Sequence, residues 1–160
     1  MHSRIFQLNK QPITEDEYIH ESKYYDEWFT REIADYVDGD TDRAEDIEWI
    51  KSCVNGIEFG ADEHGEFLII KNREQYFEKA FQQFCKYLDE VNQQKTLSGF
   101  ANGITGMWHL NSAHENRFGF YVELTTDSER YTDTVTLDEF IRTSQDGDKY
   151  YIGATIDYHW

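Results

Sequence analysis

Apolar positions recur along this chain with two different periods. From Tyr18 onward, Tyr18, Tyr25, Phe29, Ile33 and Tyr36 fall near one face at helical spacing, which predicts a helix over about Thr14 to Tyr36. Thr14 with Glu17 has the form of a capping box at its start, and Gly39 suits a left-handed stop. A second helix is predicted from Asp42, with Ile47, Ile50 and Val54 as its stripe and Gly56 at its end. The third is the longest, from about Asn72 to Gln93, with Phe77, Ala80, Phe81, Phe84, Leu88 and Val91 facing inward. On that register Phe81 and Phe84 are fully buried, while Glu78 and Gln82 lie outward.

The remaining apolar runs read as strands. Ile5 to Leu8 is one, and IEFG and EFLII around ADEHG form a hairpin. RFGFYVEL, TDTVTL and the terminal KYYIGATIDYHW follow, with a short helix, LDEFIRTS, capped by Thr136 and Glu139. Residues 96–116 carry Gly99, Gly103 and Gly106 and are the least readable part. The sum is one α+β domain over residues 1–160: an N-terminal pair of acidic helices and a long third helix packed on a mostly antiparallel sheet.

Charge changes this picture. The net charge is −17 over 160 residues. Residues 14–48 hold 14 Asp and Glu against three Lys and Arg, net −11, and the rest of the chain carries −6. Such a surface repels nucleic acid and anionic membranes and attracts basic proteins. On a helical wheel Asp16, Glu27 and Asp38 share the face opposite the apolar stripe. Carboxylates one turn apart sit about 5–6 Å from each other, near the spacing of backbone phosphates. Tyr24 and Trp28, off the stripe and one turn apart, would set an aromatic ridge beside these acids. Lys23 and Arg31 lie in the same segment and weigh against a purely negative face. No apolar run approaches the roughly 20 residues of a membrane helix, and the opening MHSRIFQLNK lacks the apolar core of a signal peptide, so cytoplasmic residence is the default.

The candidate chemistry is sparse. Asp38, Asp40 and Asp42 alternate like a calcium loop, but Arg43 stands where the loop needs glycine and Trp49 where it needs glutamate. Turn and N-cap roles explain these aspartates better. His109, His114 and Glu115 form HxxxxHE, whose five-residue step turns the two rings about 140° apart on a helix rather than onto one face. GFANGITG lacks the GK[ST] ending of a phosphate loop. Cys53 and Cys85, without a CxxC partner, read as buried free thiols. No cofactor or metal is implied, and no catalytic residue stands out. The pattern favours a non-enzymatic acidic protein that binds a basic protein partner, with Asp16, Glu27, Asp38, Tyr24 and Trp28 as the contact face. Its sharpest form is an inhibitor that mimics nucleic acid in a basic groove. The alternatives are a small metal-dependent hydrolase built on His109 and His114, or a housekeeping interaction module.

Overall fold

The computed structural model describes residues 1–25, 28–115, 119–125 and 134–160. It has an α+β fold with a seven-stranded, mostly antiparallel sheet. The strands are β1 (His2–Asn9), β2 (Tyr36–Asp38), β3 (Ile57–Asp62), β4 (Gly65–Ile70), β5 (Tyr121–Leu124), β6 (Thr134–Thr136) and β7 (Lys149–His159). Their order is β3-β4-β7-β1-β5-β6, with β2 paired to β7 off this path. Only β1 and β5 run parallel among these pairs. The helices are α1 (Trp28–Glu32), α2 (Arg43–Cys53), α3 (Arg73–Gln93), α4 (Leu97–Ala101), α5 (Met107–Glu115) and α6 (Leu137–Thr143).

Period-2 alternation lets both faces of the sheet bury apolar side chains. On one face, Phe6, Leu8, Leu68, Val122, Tyr150 and Ile152 meet Ile47 and Ile50 of α2 and Leu137, Phe140 and Ile141 of α6. Tyr76 and Phe77, in the first turn of α3, join this cluster. On the other face, Ile5, Tyr121, Ile156 and Tyr158 meet Tyr24, Phe29, Ala34 and Val37 from the N-terminal segment.

β7 contributes to both clusters from positions of the same parity, 150 and 152 against 156 and 158. Strict alternation forbids this. A register shift resolves it: Phe6 pairs Thr155 but Leu8 pairs Ile152, so β7 holds one extra residue. The bulge flips β7 over at Gly153–Ala154. Gln7, 1% exposed, lies at the same place and accepts the Ala154 N–H at 3.0 Å. A Cβ on Gly153 would come to 2.5 Å from the Gln7 oxygen, so any larger residue there would have to displace the Gln7 amide.

The same glutamine decides the N-terminal segment. Its Nε2 donates to the Glu17 carbonyl at 2.9 Å, and its Oε1 also accepts the Ile19 N–H at 3.1 Å. These backbone groups are the ones a continuing helix would use. The expected helix over Thr14 to Tyr36 is therefore two 3-10 turns, Glu15–Glu17 and Glu21–Tyr24, then α1 and β2. The start signal itself is real. The Thr14 N–H and hydroxyl donate to the Glu17 carboxylate at 2.9 and 2.7 Å, around a single turn. Gly39 ends no helix and follows β2.

The second and third helices begin where the pattern places them. The Asp42 side chain accepts the N–H groups of Ala44 and Glu45, and Asn72 accepts that of Gln75. Burial of the third differs from expectation. No residue of α3 is buried; Phe81 is 64% exposed and Phe84 is half-buried. Beyond its first turn α3 rests on α5, which covers one narrow strip of it. The thiols also differ: Cys53 is exposed at the end of α2 and Cys85 is half-buried. The unreadable stretch after Gln93 is α4 and α5, with Gly103 and Gly106 at positive φ between them.

Candidate partner-binding face

The acidic segment packs across one face of the sheet as far as β2, on the edge of β7, and its last residues enter α2 on the other face. Its apolar side chains point inward as an aromatic cluster. The Phe29 ring meets Tyr121 edge-on at 5.0 Å, Tyr158 at 5.3 Å and Tyr24 at 5.6 Å. Because the turns are tight, Tyr24 and Phe29 reach the same pocket, which a continuous helix would not allow.

This corrects the aromatic ridge. Tyr24 is 1% exposed, and its hydroxyl donates to Glu123 at 3.2 Å. Burial first, then the Glu123 carboxylate, pushes the Tyr24 phenol far above its ordinary pKa. It is a core residue and cannot touch a partner. Trp28, beside it, is 48% exposed. Tyr25 and Tyr36, both assigned to the inward stripe, are the other open rings. Tyr36 stacks on His159 at 5.5 Å, and His159 bonds Asp35 at 2.7 Å. The helical wheel misplaced these rings because the segment has no helical period; no signal in the sequence separates Tyr24 from Tyr25.

Of the expected acids, Asp16 is exposed in the first 3-10 turn and Asp38 is exposed on β2. Glu27 lies outside the described residues. Asp16 and Asp38 therefore sit on different elements rather than on successive turns of one helix, and the phosphate-like spacing argued from a wheel does not apply. What remains is an exposed acidic band along the N-terminal turns, α1 and β2, with further exposed carboxylates at α2 across the sheet. Among the described residues, ten carboxylates of residues 14–48 are exposed: Glu15, Asp16, Glu17, Glu32, Asp35, Asp38, Asp40, Asp42, Glu45 and Glu48. Several also hold turns: the Asp38 side chain accepts the Asp40 N–H at 2.9 Å, and Asp42 caps α2. Hydrogen bonds from Thr14 hold Asp16 and Glu17 below the usual carboxylate range, and His159 does so for Asp35. They stay charged under mildly acidic conditions.

The basic residues of the segment point elsewhere. Lys23 pairs with Glu123, a carboxylate fully buried on β5 that also accepts the Thr134 hydroxyl. Arg43 turns toward β7, where Nε donates to the Gly153 carbonyl and Nη2 to that of Ile152, each at 2.6 Å. Its Nη1 pairs with Glu66 at 2.7 Å. Among Lys23, Arg31 and Arg43, only Arg31 is exposed. The face presented outward is thus more uniformly negative than residue counting implies.

Other chemistry-bearing groups are dispersed. His109 stacks on Tyr87 at 5.1 Å and His114 lies 6.1 Å from Phe84, both on α5. Among the described residues no three His, Cys, Asp or Glu gather as a metal site. A cavity of about 280 Å³ between α2, α3, α5 and α6 is lined by Cys53, Tyr76, Lys79, Ser112 and Asp138 among others. Its Tyr76 hydroxyl donates to Asp138 at 2.8 Å, and burial, with that carboxylate, pushes the phenol upward. The pair fastens α3 to α6. Among the described residues no helix is long and apolar enough to cross a membrane.

No protein-family model, curated protein or solved structure matches the chain.

Proposed function

We propose that the protein is a non-enzymatic acidic binding protein whose acidic band, with Trp28, docks on a basic protein surface. The observation that carries this reading is the inward turn of Lys23 and Arg43, which among the described residues leaves seven exposed carboxylates between Glu15 and Asp40 against one exposed Lys or Arg of that stretch, Arg31. Exposed charge of one sign steers an oppositely charged partner over a long range. Trp28 adds the kind of half-open aromatic that anchors interfaces. The specific form of the proposal is inhibition: the band occupies a groove that otherwise receives nucleic acid. The likeness to nucleic acid lies in charge density, not in a helical repeat of carboxylates.

The test is affinity capture from the source cells with the intact chain and with a variant carrying Asp16→Asn, Glu27→Gln, Asp38→Asn and Trp28→Ala. The expected result is a basic, nucleic-acid-acting protein retained by the natural chain and lost by the variant, with affinity falling steeply as salt rises. A partner held equally by both, or binding indifferent to salt, overturns the reading.

A further inference from the structure

The unexplained surface of this molecule is α3. Phe77, Phe81, Phe84, Leu88 and Val91 recur at steps of four, three, four and three, the a/d spacing of a coiled-coil seam. Alternate members of this seam are covered from within the chain. Arg142 lies 4.8 Å over the Phe77 ring, Phe84 meets His114, and Val91 is half-buried where it faces Gly106, just before α5, with room between them for no more than a methyl group. The intervening Phe81 and Leu88 are 64% and 38% exposed, and Met107 of α5 is 44% exposed. One helix of the seam is present, and among the described residues two of its five knobs have no hole.

We propose that a second copy of this chain covers the seam, the α3–α5 hairpins of two copies closing into a four-helix bundle. Two observations select a second copy over a different partner. The positions flanking the seam are Glu78, Cys85 and Asn92 on one side and Ala80, Tyr87 and Gln94 on the other, a single charge among six. Partner choice in paired helices is set by charges at these positions, and their near absence suits self-pairing, where no complementary pattern is needed. The second observation is where the charge lies. Residues 73–115 hold four Lys and Arg and five Asp and Glu, net −1, so the remaining positions carry −16 of the −17. Two such chains repel everywhere except at this arm. The seam from Phe77 to Val91 is about 21 Å long at about 1.5 Å per residue, which gives each hairpin two heptads to offer. Antiparallel hairpins meeting in this way form a bundle core from a/d positions. An interface of this length is at the small end of stable contacts, so the dimer is reversible. The surface is separate from the acidic band, and its test does not depend on a basic partner.

The experiment is analytical ultracentrifugation of the intact chain from low to several hundred micromolar, beside a Phe81→Glu, Leu88→Glu variant. The natural chain is expected to rise in mass from 19.1 kDa toward twice that value, the variant to stay at 19.1 kDa with unchanged circular dichroism. Should the pair of substitutions unfold the chain, Phe81→Glu alone, at a site already open to solvent, gives the same readout. Added salt is expected to leave the dimer intact or strengthen it, because apolar burial holds it and screening removes the repulsion between bodies. A mass of 19.1 kDa at every concentration overturns the proposal. So does a variant that dimerises as the natural chain does, or a dimer that salt dissolves.

Discussion

Arg43 fills a gap in the sheet beside Gly153. β7 pairs with β4 through Lys149–Tyr151 and with β2 through Asp157–His159 on the edge opposite β1, so among the described residues no strand lies beside the residues between on that edge. The Arg43 guanidinium supplies two N–H donors to this gap, and the Thr41 hydroxyl supplies a third, to the Thr155 carbonyl at 3.1 Å. The backbone there is buried, so its carbonyls need these partners. Arg43→Ala is expected to cost about 2–4 kcal/mol, since orphaned buried acceptors cost about 1–3 kcal/mol each. Arg43→Lys is expected to recover only part of this, because an ammonium lacks the planar fork that reaches two successive carbonyls and Glu66 together. Urea melts of the three proteins check both statements; equal stability of the Arg and Ala forms would show that the gap needs no donor.

The exposed seam makes the apolar residues of α3 unequal to those of α6. Phe140 is 2% exposed in the core and Phe81 is 64% exposed. Phe140→Ala is expected to cost about 3–5 kcal/mol through lost transfer energy and a cavity. Phe81→Ala, measured at a concentration where the chain is monomeric, is expected to stay within about 0.5 kcal/mol, as most open-surface substitutions do. Denaturant midpoints in the opposite order would place Phe81 in the core.

The tip of the β3–β4 hairpin is tied to β7 by charge. Asp62 accepts from the Lys149 ammonium at 2.7 Å, from the His64 N–H at 2.9 Å and from the Tyr151 hydroxyl at 3.1 Å. These bonds, Lys149 first, hold its pKa at about 2. An unfolded aspartate titrates near about 4. A depressed carboxylate stabilises the fold above the unfolded value and loses that contribution as pH falls through the folded one. Asp62→Asn is therefore expected to melt below the natural protein at neutral pH, by an amount constant down to mildly acidic conditions. The difference closes between pH of about 4 and about 2. Thermal melts across this range give the comparison, and a gap that persists at the acid end would assign the effect to packing rather than to charge.

The legible parts of this fold are those whose signals are satisfied locally. Asp42 and Asn72 cap helices with their own neighbouring N–H groups, and Thr136 does the same for α6 by accepting the Glu139 N–H. The hairpin from Ile57 to Ile70 pairs within itself. Such bonds close over a few residues and leave a readable trace. The acidic face was legible as charge, because charged side chains stay in water wherever the backbone goes. Its aromatic members were not. Tyr24 and Tyr25 are adjacent and chemically identical, and only the position of the Phe29, Tyr121 and Tyr158 rings selects one for burial.

By itself, then, the sequence determined the α+β class, the starts of α2, α3 and α6, most strands and the concentration of negative charge in residues 14–48. Tertiary structure alone decided that the N-terminal segment breaks into short turns, which of its side chains face out, and how much of α3 is covered. The reason is the same in each case. Gln7 reaches from β1 to take the Glu17 carbonyl and the Ile19 N–H. Glu123 draws Lys23 off the surface, and α5 offers α3 only a narrow strip to lie on. Each outcome depends on a group distant in sequence whose bond is stronger than the local preference it replaces. No window of neighbouring residues contains that partner.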